Sequence, residues 1–146
     1  MTAPAARALA PRGFRNLNPG NIRKGNDWRG LAPNGLDPEF DVFVSAEMGF
    51  RALCRVLLNY QRKHKLRTIR AIISRWAPPN ENDTEAYIRF AATSVGVPPD
   101  QKITLDRQTL FTLAKAIARK ENGRRPEGGD WFSDAQILAG VDLALA

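Results

Sequence analysis

Residues 110–123 read LFTLAKAIARKENG. Leu110, Leu113, Ala114 and Ile117 recur at helical spacing, and one further step of four lands on Glu121. Asp106 stands upstream as a cap and Gly123 follows as a stop, so the spacing predicts a helix ending at about Asn122. A carboxylate then sits on the apolar face, at the negative end of the helix dipole. Partial burial and the dipole both disfavour its charged form. A carboxyl kept protonated near neutral pH is what a general acid needs to protonate a glycosidic oxygen. The same spacing also fits a last-turn glutamate paired with Arg119, Lys120 or Arg124.

Working outward, other helices are signalled as clearly. Ser45 caps a helix from about Ala46 to His64 with Leu53, Val56, Leu57 and Tyr60 as its apolar stripe. Thr68 caps a shorter one carrying Ile69, Ile72, Ile73 and Trp76, which must end before Pro78 and Pro79. Asn82 and Glu85 form a capping-box pattern for the next helix, with Gly96 as its stop. Ser133 and Gln136 form another, opening a final helix whose inner face is Ile137, Leu138, Val141 and Leu145. Residues 13–44 carry five Gly and three Pro, and read as loops and short strands, clearest at Phe40–Val44 (FDVFV). The expectation is an α+β fold, predominantly helical, of about five helices with a small strand and loop region near the N-terminus. Residues 1–12, rich in Ala and Pro, are expected as a flexible arm, and 13–146 as a single domain.

The net charge of +7 favours an anionic partner (cell wall, nucleic acid or lipid surface) but equally fits a merely soluble basic surface, and charge alone does not decide between them. No apolar run reaches membrane-spanning length, and the start lacks the basic and apolar regions of a secretory signal. Cys54, the single cysteine, falls in an apolar helical pattern and reads as a small core residue. One histidine, His64, cannot build a His-rich metal site, so no metal and no cofactor is expected. The basic run RKHKLRTIR (62–70) reads as a solvated face. No helix-turn-helix, zinc or RNA-recognition motif accompanies it.

Glu81, in the WAPPNENDT loop (76–84), is a second candidate acid. Held at the positive end of the next helix, it suits a base or nucleophile better, and it equally fits a purely structural role. Asn18, Asn21 and Arg23 offer the planar amide and guanidinium groups that polyhydroxylated ligands require, although Asn18-Pro19-Gly20-Asn21 is also a backbone turn in its own right. Trp28 is placed to stack on a sugar face, whereas Trp76 reads as core.

AIARKENG (116–123) resembles the segment of lytic transglycosylases and goose-type lysozymes in which a helix ends in the catalytic glutamate. In those families a Gly-rich region, a long helix and a Tyr-bearing helix come after that glutamate. Here NPGNIRKGNDWRG (18–30), the long helix and Tyr87 come before it, which implies a circularly permuted order. RNLNPGNIRKGNDWRG, FVSAEMGFRAL, WAPPNENDTEAYI and AIARKENG together, over about residues 13–123, resemble phage lysozyme-like proteins of the virion or endolysin type. The resemblance implies a lysozyme-like domain that cuts the β-1,4 bond between N-acetylmuramic acid and N-acetylglucosamine. Glu121 or Glu81 would be the acid, and Tyr87 would bind an N-acetyl group or orient Glu121. It further implies peptidoglycan glycan strands as partner, no specific nucleic acid, and a monomer made in the host cytoplasm that reaches the wall through other factors or within a virion. Two-carboxylate hydrolysis would need a partner about 5–10 Å away, from Asp27, Asp41 or Glu81. A one-carboxylate transglycosylase would not. Two other readings stay open: a non-catalytic virion or wall-binding protein, and a basic nucleic-acid-binding protein.

Overall fold

The computed structural model describes residues 10–146, a helical fold in which six helices enclose one core. They are α1 (Arg12–Arg15), α2 (Ala46–His64), α3 (Ile69–Trp76), α4 (Thr84–Val95), α5 (Arg107–Asn122) and α6 (Asp134–Leu145). Each of the five longer helices begins on a side-chain cap, because the first N–H groups of a helix have no partner inside it. Ser45 accepts from Met48, Thr68 from Ala71, Asp83 from Ala86 and Asp106 from Thr109. Ser133 and Gln136 close the predicted capping box from both sides.

α2 runs through the centre and packs most extensively on α6, while α5 bridges α4 and α6. Phe50, Leu53, Cys54 and Leu57 of α2 meet Leu110, Leu113, Ala114 and Ile117 of α5 in a core from which water is excluded. Burial pushes the Cys54 thiol up to about 12, so the residue is an inert core methyl-sized group rather than a nucleophile.

Several sequence expectations change. The fourth helix is capped by Asp83, one residue beyond Asn82, whose amide instead donates to the Pro78 carbonyl at 3.1 Å. Leu145 is 39% exposed, and Ala144 takes its place on the buried face of α6. Phe40–Val44 is not a strand of a sheet. The described residues contain only isolated antiparallel bridges, Arg23 to Phe40, Leu31 to Phe43 and Arg124 to Asp130. The fragments on either side are too short and too kinked to extend a ladder. Residues 1–9 of the expected arm lie outside the described residues. Ala10 is already buried, and Arg12 opens α1.

That first short helix is fastened by an ion pair. The Arg12 guanidinium grips both oxygens of Asp37, at 2.5 and 2.7 Å, and Asn16 donates to the same carboxylate. The guanidinium, together with backbone donors from Phe40 and Glu39, holds the Asp37 carboxyl well below the usual carboxylate range. The loop 16–45 is thereby tied down across α1. Among the described residues no helix is long and apolar enough to cross a membrane.

Candidate active-site groove

Glu121 lies in the last turn of α5, where the buried stripe meets the surface, and is half-buried. Its carboxylate is held by two neutral donors. Tyr87 Oη of α4 donates to Oε2 at 3.0 Å, and Asn21 Nδ2 donates to Oε1 at 3.3 Å. The alternative, pairing with Arg119, Lys120 or Arg124, is not what the structure has. Arg119 is taken by Asp130 through two contacts of 2.8 Å, and Lys120 stands over the Tyr87 and Phe90 rings instead. Among the described residues, no cation forms an ion pair with Glu121.

Tyr87 is 2% exposed. Burial first, then the charge of Glu121 and the hydrogen bond to it, push the phenol far above its usual range. It therefore remains an O–H donor under all physiological conditions. One side chain thus both packs in the core and holds the Glu121 carboxylate.

Asn21 is delivered by the turn after α1. Its φ of 49° lies in the left-handed region, which asparagine tolerates better than most residues. The turn fits because Gly13 and Gly20 have no side chains. A Cβ on Gly13 would stand 3.0 Å from Asn21 Oδ1, 2.9 Å from the Asn18 carbonyl oxygen and against Asn122 Oδ1. One on Gly20 would press on the Trp76 ring at 2.9 Å. Asn122, buried beside Glu121, secures the same turn by donating to the Pro19 carbonyl at 3.0 Å.

An open groove of about 610 Å³ runs past this carboxyl. Glu121, Glu81, Asn21 and Arg23 line it, together with Phe40, Val56, Tyr60 and Trp76. Glu81 is exposed on the loop before α4, so both candidate acids face one space. Arg23 is exposed, pairs with Glu39 at 3.2 Å and lies over the Phe40 ring. Trp28 does not reach this recess and lines a neighbouring one.

Asn18 is corrected from ligand-binding to structural. It is fully buried, donates to the carbonyls of Ile22 and Asp41, and accepts from the Ile22 N–H. Asp41 is likewise withdrawn: buried, with one carboxylate oxygen unpartnered, it does not line the groove. Burial raises its carboxyl, against a smaller opposing pull from Lys24. Sequence reasoning assigned Trp76 and Tyr60 to apolar stripes and missed their exposed edges. The signal was present in the long α2 stripe, which extends through Val56 and Tyr60 beyond what the core covers.

The geometry defines a helical protein in which the Glu121 carboxyl, without an ion-pair partner among the described residues, lines a groove together with Phe40, Tyr60 and Trp76. No protein-family model matches the chain. Over 121 residues it is 44% identical to Protein P5 of Pseudoalteromonas phage PM2, covering 80% of this chain and 74% of that protein. The chain belongs to the family of that phage protein.

Proposed function

We propose that the protein cleaves peptidoglycan glycan strands at the β-1,4 bond between N-acetylmuramic acid and N-acetylglucosamine, with Glu121 as the general acid. The observation that carries this reading is the Glu121 carboxyl, fixed by a neutral phenol and a neutral amide at the edge of the aromatic groove. The two neutral donors orient the carboxyl, and no ion pair among the described residues competes for it. Trp76, Tyr60 and Phe40 supply faces for sugar rings, and Arg23 supplies donors for hydroxyl and carboxylate groups. Asp41 is buried outside the groove and Glu81 is the other carboxylate lining it; a one-carboxylate route, which asks nothing of Glu81, is the simplest. Glu121 gives its proton to the glycosidic oxygen as the bond to C1 breaks, assisted by the substrate's own N-acetyl oxygen. The resulting carboxylate then accepts the proton of the C6 hydroxyl as that oxygen closes on C1, leaving a 1,6-anhydro sugar. Tyr87 and Asn21 are positioning residues in this scheme. Glu81 is the alternative acid.

A second reading is a virion or wall-binding protein without chemistry. It is favoured by the relative, a bacteriophage protein whose name carries no activity. Mass spectrometry of purified wall incubated with the protein separates the two readings. Anhydro-muropeptides support the lytic route and reducing ends support hydrolysis. Unchanged glycan in the presence of tight wall binding would establish the second reading.

A further inference from the structure

The groove does not end beside Glu121. Val56 and Tyr60 border both that recess and a second one, also of about 610 Å³, whose wall includes Asp27, Trp28, His64 and Arg75. The ring of Tyr60 is therefore shared, one stretch of groove lying to each side of it.

Arg12, Arg70, Arg107 and Arg119 each grip a carboxylate. Arg75 and Asp27 share one recess and are both exposed, yet neither has an ion-pair partner among the described residues, and they do not pair with each other. Arg75 is instead held over the Tyr60 ring, 5.4 Å from its centre. The Trp28 ring is packed against the small cluster of Ile22, Phe43 and Ala52, giving the recess a rigid aromatic wall. One fixed positive and one negative group thus stand apart in the same concavity.

This pattern selects among ligands. An anion alone is repelled by Asp27 and a cation alone by Arg75. A neutral sugar can hydrogen-bond both groups through its hydroxyls but neutralises neither charge. A group carrying an ammonium and a carboxylate meets both. Next to a glycan-binding recess, the chemistry that fits is the free amino-acid end of a peptide attached to the glycan. We propose that the second recess binds the zwitterionic end of the stem peptide's diamino acid, so that the protein selects peptide-bearing over peptide-free glycan. This inference rests on peptidoglycan being the ligand of the first recess.

The test is calorimetric binding at low salt, with the Glu121→Gln protein so that no probe is consumed. Four soluble probes are compared: a disaccharide bearing a tripeptide that ends in the diamino acid, the same compound amidated at its free carboxylates, the same compound acetylated at its free amine, and the peptide-free disaccharide. The unmodified stem should bind tightest, and each modification should weaken it about two- to fivefold, the range of an exposed ion pair. Arg75→Ala should remove the penalty for amidation and keep that for acetylation, and Asp27→Asn should do the reverse. Equal binding of all four probes overturns the inference, as does discrimination that survives both substitutions. The first recess is judged separately with the parent protein. Discrimination without any glycan cleavage would sink the catalytic reading and leave this one standing, whereas equal binding with cleavage intact would do the opposite.

Discussion

Glu121→Gln separates chemistry from structure. The parent carboxylate accepts from Tyr87 at 3.0 Å and from Asn21 at 3.3 Å. In the variant, the carboxamide oxygen can keep the bond from Tyr87, but its NH₂ group then faces the Asn21 amide donor. Asn21 has a remedy, because its own Oδ1 is buried without a partner. Turning that amide over lets Oδ1 accept from the new NH₂, so two hydrogen bonds survive. A charge-assisted bond is about twice as strong as a neutral one, so the exchange costs about 1 kcal/mol. Removing a half-buried charge offsets part of this. The expected stability change is within about 1 kcal/mol, and the melting temperature should move by no more than about 5 °C. Turnover should fall by about 10²–10⁴, because an amide cannot deliver the proton. The assay pairs clearance of a wall suspension with sedimentation binding to the same wall: clearance is lost and binding persists. Glu81→Gln, an exposed change on a loop, serves as the control and should retain turnover. A folded Glu121→Gln protein that clears wall at the parent rate, beside a folded but inactive Glu81→Gln, would refute the reasoning and place the acid in the WAPPNENDT loop.

Gly13→Ala should act on the same site from behind. Its Cβ would displace Asn21 and Asn122, lowering stability by about 1–3 kcal/mol in denaturant melts and turnover by more than that loss explains. Tyr87→Phe keeps the buried ring and removes the donor to Glu121, so it should cost about 1.5 kcal/mol and reduce the catalytic rate with wall affinity unchanged. Asp41 has a carboxyl raised by burial, so its unfolded form loses its proton at lower pH than the folded form does. Stability attributable to it therefore falls as pH rises out of the ordinary carboxylate range. Asp41→Asn should be more stable than the parent at pH 7 and equal to it below that range, as read from unfolding midpoints at both values. Lys63→Glu with Arg67→Glu, both exposed positions, should weaken wall binding in dilute buffer, with the difference disappearing at high salt and turnover per bound molecule unaffected.

The helices and Glu121 were legible because both depend on local spacing. A stripe at three and four residues fixes which side of a helix is buried, and a carboxylate one step beyond it must emerge where the core ends. The caps added the boundaries, and the Asp83 shift shows their resolution: two adjacent residues can each cap, and only the loop geometry after Pro79 chooses between them. Asn18 and Asn21 show where local rules stop. Both sit in one NPGN turn and both are favoured there for backbone reasons, yet one is sealed inside and the other meets a glutamate a hundred residues away. That choice is made by Gly13, Trp76 and Asn122, which approach the turn only after the chain has folded.

Phe40–Val44 draws the line most sharply. Its alternation is real: Asp41 and Phe43 point inward, while Val44 is 58% exposed. The absence of a sheet does not cancel the alternation, because Phe43 N–H donates to the Asn16 carbonyl, Val44 to that of Gly30 and Asp41 to that of Ile22. Three separate segments supply what a neighbouring strand would. Period two therefore reported an extended chain with a buried side, and the inference that failed was the step from extended chain to ladder, which needs a partner of matching length. The same period carried a further consequence. If Phe43 is inward, Asp41 must be too, so an acid named as a possible second carboxylate could have been struck out from the sequence alone. A groove acid has to leave the inward register, as Glu121 does by standing where its helix ends.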